Sequence, residues 1–297
     1  MKGLELSRLF FKENKDVFGK YLDECAAGLF GPGSECLGFD DDISRDHDFS
    51  ADFLVLISEK DDARLGVELA RMYNSLPEEF MGVKRAKKSA LGFQKGVVTV
   101  EGFMRSVCSK PYGPEDIFDW LYIPSYALQN ASNGEIFHDG TGELTKIREH
   151  ILNGMPEDVR KKKIAARAAV MAQAGQYNFS RCLQHGEKGA AALALSEFAK
   201  NAAEMIYLLN KKHMPFYKWC FKGMRELEKL GFVAQKLEKM LYNGNKDDIE
   251  DICALVIGEL RAQNLSSSAS DYLEAHAFNI MRIIENQDLR NMHVMEG

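Results

Sequence analysis

Residues 33–49 read GSECLGFDDDISRDHDF, and this stretch decides the fold that we expect for the chain. Its opening Gly-Ser pair is separated by eleven residues from the motif Asp46-x-Asp48. The run DFLVLIS follows at 52–58, and its short, continuous apolar pattern predicts a strand buried in a covered sheet. The chain therefore places a small-residue turn, an acidic segment and a buried strand in close succession.

The residue types in this stretch suit the binding of a phosphate and a divalent cation. Gly33 has no Cβ, so its backbone can approach a phosphate closely, and the Ser34 hydroxyl can donate to the same group. Asp46 and Asp48 are two residues apart, so on an extended segment both carboxylates point to one side. Mg²⁺ takes one or two carboxylates and completes its shell with substrate phosphates and water. The pattern predicts one Mg²⁺ ion, or two, beside a nucleoside triphosphate.

Hydrophobic periodicity divides the rest of the chain into two halves. Before residue 150, helical spacing at 4–28 and 60–76 predicts two helices, and GVVTV at 96–100 predicts a second strand. After residue 155 the pattern is helical throughout. The predicted helical stretches are roughly 156–175, 178–211, 216–230, 233–242, 246–262 and 268–289. We therefore expect an N-terminal half of helices and strands, followed by an all-helical half.

Several of these segments resemble a known superfamily. Gly33-Ser34, Gly38 and the run SRDHD at 44–48 look like the signature of the DNA polymerase β-type nucleotidyltransferases. Three further segments make the chain similar to a bacterial subfamily catalogued only as a domain of unknown function, related to kanamycin- and lincosamide-type nucleotidyltransferases. They are DWL at 119–121, residues 134–139, and YKW at 217–219.

The resemblance implies an α+β nucleotidyltransferase domain at 1–150, a small mixed sheet with flanking helices, followed by an all-α helical-bundle domain at 151–297. It also implies Mg²⁺-dependent transfer of a nucleoside monophosphate, usually AMP from ATP, to an acceptor hydroxyl bound between the two halves. Carried over by position, Gly33 and Ser34 hold the terminal phosphates, and Asp46 and Asp48 hold the metal.

The superfamily normally places a third carboxylate on a later strand, and Glu101 is the candidate here. It directly follows the predicted strand GVVTV. The same residues also suit the start of a helix, with Thr99 as the N-cap and Glu101 in the first turn. Both interpretations of Glu101 stay open on the sequence.

Three residues of the helical half are further candidates on the same resemblance. Arg181 lies on a polar helix face and is a candidate for binding the nucleotide. Lys218 stands between Tyr217 and Trp219, and such aromatic neighbours can pin a lysine for a role in binding the triphosphate. Glu197 is the candidate general base, because a glutamate of this domain has that role in kanamycin-type relatives. For each residue, the alternative is a solvated position on a surface helix.

Two other metal-site interpretations fit the sequence poorly. A calcium-binding loop starting at Asp42 would require glycine where His47 stands and glutamate where Phe53 stands. The His-Asp pairs at 47–48 and 138–139 lack the helical setting of His-Asp phosphohydrolases. We expect Asp139 to be a turn residue that caps its own loop, and Asp40 to lie in a solvated loop.

Charge, cysteine content and the lack of targeting patterns indicate which partners and which cellular location to expect. The formal net charge of -6 gives no general attraction for nucleic acid, and the basic runs near 84–88 and at 160–163 suit solvated helix faces. The six scattered cysteines are expected to be buried and reduced. Signal-peptide and membrane-span patterns are missing from the sequence, so we expect a cytoplasmic protein without membrane partners.

Two hypotheses about function follow from the sequence. The first is a nucleotidyltransferase that moves AMP from ATP to a hydroxyl of a small molecule or protein, with nucleic acid a less favoured acceptor. The second is a nucleotide-binding or regulatory protein on the same fold without turnover, because a clear third carboxylate is missing.

Overall fold

The computed structural model describes residues 1–43, 49–85 and 95–297. The chain forms two compact units. The first contains residues 1–115 and 123–154, and the second contains residues 116–122 and 155–297. The short segment 116–122 packs with the later helices, which its position in the sequence does not indicate. The domain limits 1–150 and 151–297 stay a prediction.

The first unit is built on a small mixed sheet. The four strands of this sheet are β1 (Ala26–Leu29), β2 (Leu54–Ile57), β5 (Gly96–Thr99) and β6 (Glu135–Asp139). Two further strands, β3 (Glu79–Phe80) and β4 (Val83–Lys84), form a separate hairpin. The sheet order is β5-β2-β1-β6. β1 runs antiparallel to both β2 and β6, whereas β2 runs parallel to β5.

Helices flank this sheet. The helices of the first unit are α1 (Gly3–Asn14), α2 (Glu59–Asn74), α3 (Val100–Cys108), α5 (Ser125–Ser132) and α6 (Glu143–Asn153). The intervening helix α4 (Ile117–Tyr122) belongs to the second unit. The aromatic core centres on Phe53, just before β2. The rings of Phe10, Phe11 and Tyr73 lie 5.3–5.8 Å from it. Such contacts hold α1 and α2 against the same face of the sheet.

The predictions at 52–58 and 60–76 are confirmed by β2 and α2, and GVVTV forms β5 up to Thr99. The predicted helix at 4–28 is wrong beyond Asn14. A 3₁₀ segment occupies Lys15–Glu24 and is broken at Gly19, whose φ is 51°. β1 follows, fully buried in the middle of the sheet. Its sequence, AAGL, lacks the β-branched residues that indicate a strand, so pairing on both sides decides its conformation.

The second unit consists of helices. After α4 they are α7 (Glu157–Met171), a π-helix (Ala172–Phe179), α8 (Ser180–Gln184), α9 (Lys188–Leu209), α10 (Tyr217–Met224), α11 (Val233–Asn243), α12 (Lys246–Ala262), α13 (Leu273–Arg282) and α14 (Gln287–Asn291). Each stretch predicted as helical from residue 156 onward contains a helix, but two predicted ranges are too long. The stretch 216–230 is helical only as α10, and the stretch 268–289 begins its helix at Leu273 and is interrupted at 283–286. The stretch 178–211 is divided between α8 and α9, because Gly186 adopts a φ of 78°.

The prediction of a solvated basic face at 160–163 is wrong. Arg160, Lys162 and Lys163 are all buried, because α7 packs against α9, α13 and α14. Arg160 donates to the backbone carbonyl of Leu208, and Lys162 donates to that of His293 at 3.0 Å. Burial lowers the pKa of Lys162 and that of Lys163, each to about 8.

The fold class predicted from the sequence is confirmed. The first unit is α+β, with a small mixed sheet and flanking helices, and the second unit is all-α. Among the described residues, none of the helices combines the length and the apolar character that crossing a membrane requires. Five of the six cysteines are buried and all six are free thiols, as predicted.

Candidate functional site

The Gly-Ser turn, residues 31–34, follows the inner strand β1 at one end of the sheet. Because β1 pairs antiparallel with β2, Gly28 lies opposite Leu54, and the turn comes where β2 begins. β5 begins at the same end, since Gly96 also pairs with Leu54. We call this end of the sheet, residues 31–35, 49–53 and 95–96, the turn edge.

Backbone hydrogen bonds hold the two predicted phosphate-binding residues, Gly33 and Ser34, in one turn. The carbonyl of Gly33 accepts from the N–H of Cys36 at 3.2 Å. The carbonyl of Ser34 accepts from Leu37 and Phe39 at 3.1 and 2.9 Å. These hydrogen bonds fix the conformation of the turn, and the phosphate-binding role of Gly33 and Ser34 stays a prediction.

Asn133, at the end of α5, fastens the Gly-Ser turn from the other side. Its Oδ1 accepts from the N–H of Gly31 at 2.9 Å, and its Nδ2 donates to the Gly31 carbonyl at 2.7 Å. Arg148 donates to the carbonyls of Ser132 and Asn133, and burial lowers the pKa of this arginine to about 10. Sequence reasoning missed Asn133. The one indication in the sequence is that Asn133 directly precedes residues 134–139, which carry part of the family resemblance.

Replacing Asn133 with alanine is expected to lower the free energy of unfolding by about 2–3 kcal/mol, because the buried N–H and C=O of Gly31 then lack partners. Urea unfolding followed by circular dichroism measures the change. The matched control is Asn130→Ala, a partly exposed asparagine on the same helix, for which we expect a change within about 0.5 kcal/mol. Equal unfolding midpoints for the two variants would contradict the proposed role of Asn133.

A carboxylate of the chain fills the space beside Gly33. A Cβ built on Gly33 would lie 2.4 Å from Oε2 of Glu35, so a larger residue would collide with that side chain. Lys95 Nζ is 3.4 Å from Oε1 of Glu35 and 3.1 Å from Oγ of Ser50. Both charged side chains of this ion pair are only 13% exposed. Sequence reasoning missed Glu35 and Lys95, because their partners are distant in the chain.

The predicted metal ligands Asp46 and Asp48 lie outside the described residues. The residues that follow them lie at the turn edge. Gly3, the first residue of α1, lies beside both side chains: a Cβ built on it would be 3.4 Å from the ring of Phe49 and 2.8 Å from Cβ of Glu35. Phe49 and Glu35 therefore border the same point. The Lys95 ammonium, which pairs with Glu35, also donates to the Ser50 hydroxyl.

Asp52 is a carboxylate of the turn edge that sequence reasoning missed. Its Oδ1 accepts from Nε of Arg85 at 2.7 Å and from the Tyr73 hydroxyl at 3.0 Å. The side chain is buried with a guanidinium beside it. These contacts give Asp52 a structural role that ties α2 and the segment after β4 to the start of β2.

Glu101 lies at the other end of the sheet. It follows β5, and β5 ends beside the end of β2, where Thr99 pairs with Ile57. Thr99 caps α3 by accepting from the N–H of Gly102. The buried Glu101 carboxylate accepts from the N–H of Glu59 at 2.9 Å and from the Tyr112 hydroxyl. The structure does not bring Glu101 to the Gly-Ser turn, and these contacts favour the helix-start interpretation.

A pocket lies at this other end, between the end of β2 and the start of α6. Glu24, Asp61 and Glu143 are among its lining residues. Burial, then the negative charges of Glu101, Asp139 and Asp61, raise the pKa of Glu143. Across residues 1–43, 49–85 and 95–297, no group of three or more histidine, cysteine or acidic residues is arranged to hold a metal ion.

Two aspartates that the sequence assigned to loops have defined partners. Asp40 is buried, contrary to the prediction of a solvated loop, because it accepts from the N–H of Gly3 at 2.8 Å. Asp139 accepts from the N–H groups of Gly142 and Thr145 at 2.9 and 2.8 Å. The prediction that Asp139 caps its own loop is confirmed, although the residue is the last of β6 and not a turn residue.

The remaining predicted site residues, Arg181, Lys218 and Glu197, lie on helices of the second unit and are exposed. The Arg181 guanidinium stacks 5.0 Å from the ring centre of Tyr177, and Lys218 Nζ lies 5.1 Å from that of Trp219. Each guanidinium or ammonium group is thus held by an aromatic ring and open to solvent. The nucleotide-binding roles of Arg181 and Lys218, and the general-base role of Glu197, stay predictions.

The π-helix before α8 is a feature that sequence reasoning missed. Its wider turns present Tyr177, on which Arg181 stacks, and π-helical turns frequently occur at functional sites. Gly175 allows the π-helix to pack closely against α9, since a Cβ there would lie 2.3 Å from the Phe198 ring. The predicted stretches 156–175 and 178–211 placed a break here, whereas the chain stays helical from α7 through the π-helix into α8.

Comparison with protein families matches one segment of the chain. Residues 120–220 match a family described as a domain of unknown function, DUF4037, and this segment is about a third of the chain. A search of curated proteins finds no match to the sequence.

Among solved structures, the chain is similar to a nucleotidyltransferase-like protein from Exiguobacterium sibiricum 255-15. The two share 13% sequence identity, and the alignment covers 93% of this chain and 80% of the other, with a TM-score of 0.39. A likeness at this level carries no conclusion about what the present chain binds or does.

Proposed function

We propose that the chain is a Mg²⁺-dependent nucleotidyltransferase that moves a nucleoside monophosphate, AMP from ATP, to a hydroxyl of a small molecule or protein. One observation carries the proposal. Lys95 Nζ lies 3.4 Å from Glu35, the residue after Ser34, and 3.1 Å from Ser50, two residues after Asp48. A phosphate-binding turn and a pair of metal-binding carboxylates must meet at one place to act on one triphosphate.

In the proposed site, Gly33 and Ser34 bind the terminal phosphates through backbone amides and the serine hydroxyl. Asp46 and Asp48 ligate Mg²⁺, whose preference for hard oxygen ligands fits two carboxylates together with phosphate oxygens. When bound, the ion supplies charge neutralisation on the triphosphate and the leaving pyrophosphate. The residues of the chain contribute positioning and electrostatic stabilisation, which dominate this class of reaction.

Calorimetry with ATP and Mg²⁺, run beside a pyrophosphate-release assay over a panel of acceptors, tests the proposal. We expect saturable binding of the nucleotide and pyrophosphate release that depends on an acceptor carrying a hydroxyl. The panel contains aminoglycosides, lincosamides and proteins. A chain with no affinity for any of the common nucleoside triphosphates would contradict the proposed function.

A second candidate function is nucleotide binding without turnover. It is favoured by the described carboxylates of the turn edge, since Glu35 and Asp52 both form ion pairs. The oxygens engaged in these ion pairs are occupied by cations of the chain itself. Nucleotide binding with no pyrophosphate release for any acceptor is the result expected for a regulatory protein.

A further inference from the structure

The ion pair between Glu35 and Lys95 lies in the part of the proposed site where a phosphate would be bound. The Glu35 carboxylate occupies the space that opens because Gly33 lacks a Cβ. The Lys95 ammonium is within reach of this carboxylate and of Ser50. A negative group of the chain therefore already lies against the turn, with a positive group beside it.

A carboxylate and a phosphate cannot both occupy this space. They would compete for the same ammonium group, and two anions at contact distance repel each other strongly where water is largely excluded. A lysine ammonium is a compact charge with three donors on a flexible stem, so it can exchange one anion for another with little change of position.

From this geometry we infer that Lys95 binds the triphosphate and that Glu35 is an internal anion which the triphosphate displaces from Lys95 and the Gly-Ser turn. The inference rests on the proposed function and adds two residues to it. In the free protein the ion pair keeps Lys95 beside the turn. In the complex the phosphate takes the place of the carboxylate, and Glu35 moves to solvent.

This exchange predicts effects of opposite sign for the two partners. Glu35→Gln removes the competing charge and keeps the size of the side chain, so it is expected to lower the Kd for the triphosphate about fivefold to tenfold. Lys95→Met removes a ligand-binding charge and is expected to raise that Kd at least tenfold. A purely structural ion pair would predict effects of the same sign, because either substitution would loosen the turn.

The experiment is calorimetry of the full chain with Mg²⁺ and a nonhydrolysable ATP analogue. Urea unfolding of each variant without ligand is measured alongside. Glu68→Gln is the matched control, because it makes the same chemical change in the exposed ion pair between Glu68 and Arg71 on α2. Its Kd is expected to equal that of the wild type.

The outcomes separate the inference from the proposed function. Wild-type protein that does not bind the analogue overturns both. Wild-type binding with an unchanged or weaker affinity in Glu35→Gln overturns the exchange and leaves the proposed function standing. If Lys95→Met fails to fold, the Glu35→Gln result alone decides. A tighter Kd in Glu35→Gln and a weaker Kd in Lys95→Met support the exchange.

Discussion

Replacing either Asp46 or Asp48 with asparagine is expected to lower acceptor-dependent pyrophosphate release at least about 100-fold, while the chain keeps its fold. Each substitution preserves the size of the side chain and removes one negative charge that would hold Mg²⁺ against the triphosphate. Losing one such electrostatic contact to a developing charge typically slows an enzyme by about two to three orders of magnitude.

The measurement is steady-state pyrophosphate release at saturating ATP and at increasing Mg²⁺ or Mn²⁺. Asp62→Asn serves as the control, since it makes the same chemical change at an exposed position of α2. Urea unfolding shows whether each variant is folded. Full activity in both the Asp46 and Asp48 variants would refute the metal assignment.

Replacing Lys163 with methionine is expected to stabilise the chain at pH 7 by up to about 3 kcal/mol. Lys163 is buried in the second unit, and burial lowers its pKa from 10.5 to about 8, although the charge of Glu204 opposes this shift. A shift of this size corresponds to roughly 3 kcal/mol, at about 1.4 kcal/mol per pKa unit. Methionine fills the same space without a charge to desolvate.

The pH dependence of the effect follows from the direction of the pKa shift. Below pH 8 both the folded and unfolded chains hold the Lys163 proton, so the folded state bears the full cost of the buried charge. Between about pH 8 and about 10.5 the unfolded chain holds a proton that the folded chain has lost, so wild-type stability gains from a rise in pH. The advantage of Lys163→Met should therefore shrink across this window.

Urea unfolding of wild type and Lys163→Met at pH 7, 8.5 and 10 tests this expectation. Other groups that titrate in the same range are common to both proteins and cancel in the difference. Lys200→Met, on the exposed face of α9, is the control and is expected to change stability by less than about 0.5 kcal/mol at each pH. A Lys163→Met variant that is less stable at pH 7, by an amount independent of pH, would contradict the explanation.

The sequence predicted those elements whose signal is local. The apolar run of β2 and the helical spacing of α2 are readable because each pattern is contained within a few turns or residues of one segment. The adjacency of Gly33 and Ser34 was readable for the same reason. Asp139 was correctly predicted to cap its loop, because an aspartate beside glycines forms such contacts with its immediate neighbours.

The site was only partly predictable. Glu101 was a candidate for the third carboxylate because it follows a strand, and the order of residues does not say at which end of a sheet a strand finishes. Glu35 and Lys95 are sixty residues apart in the chain, so no spacing rule connects them. Asn133 reaches Gly31 across a separation of 102 residues. Contacts over such distances depend on strand order and direction, which local patterns do not contain.

The sequence alone determined which segments carry an apolar face, where two acidic side chains stand two residues apart, and that the pattern from residue 156 onward is helical. Only the tertiary structure decided that AAGL is one of the two inner strands, that Lys162 and Lys163 are buried, and that Lys95 lies between Glu35 and Ser50. The physical reason is that periodicity reports how one segment meets water, whereas burial and pairing depend on which distant segments cover it.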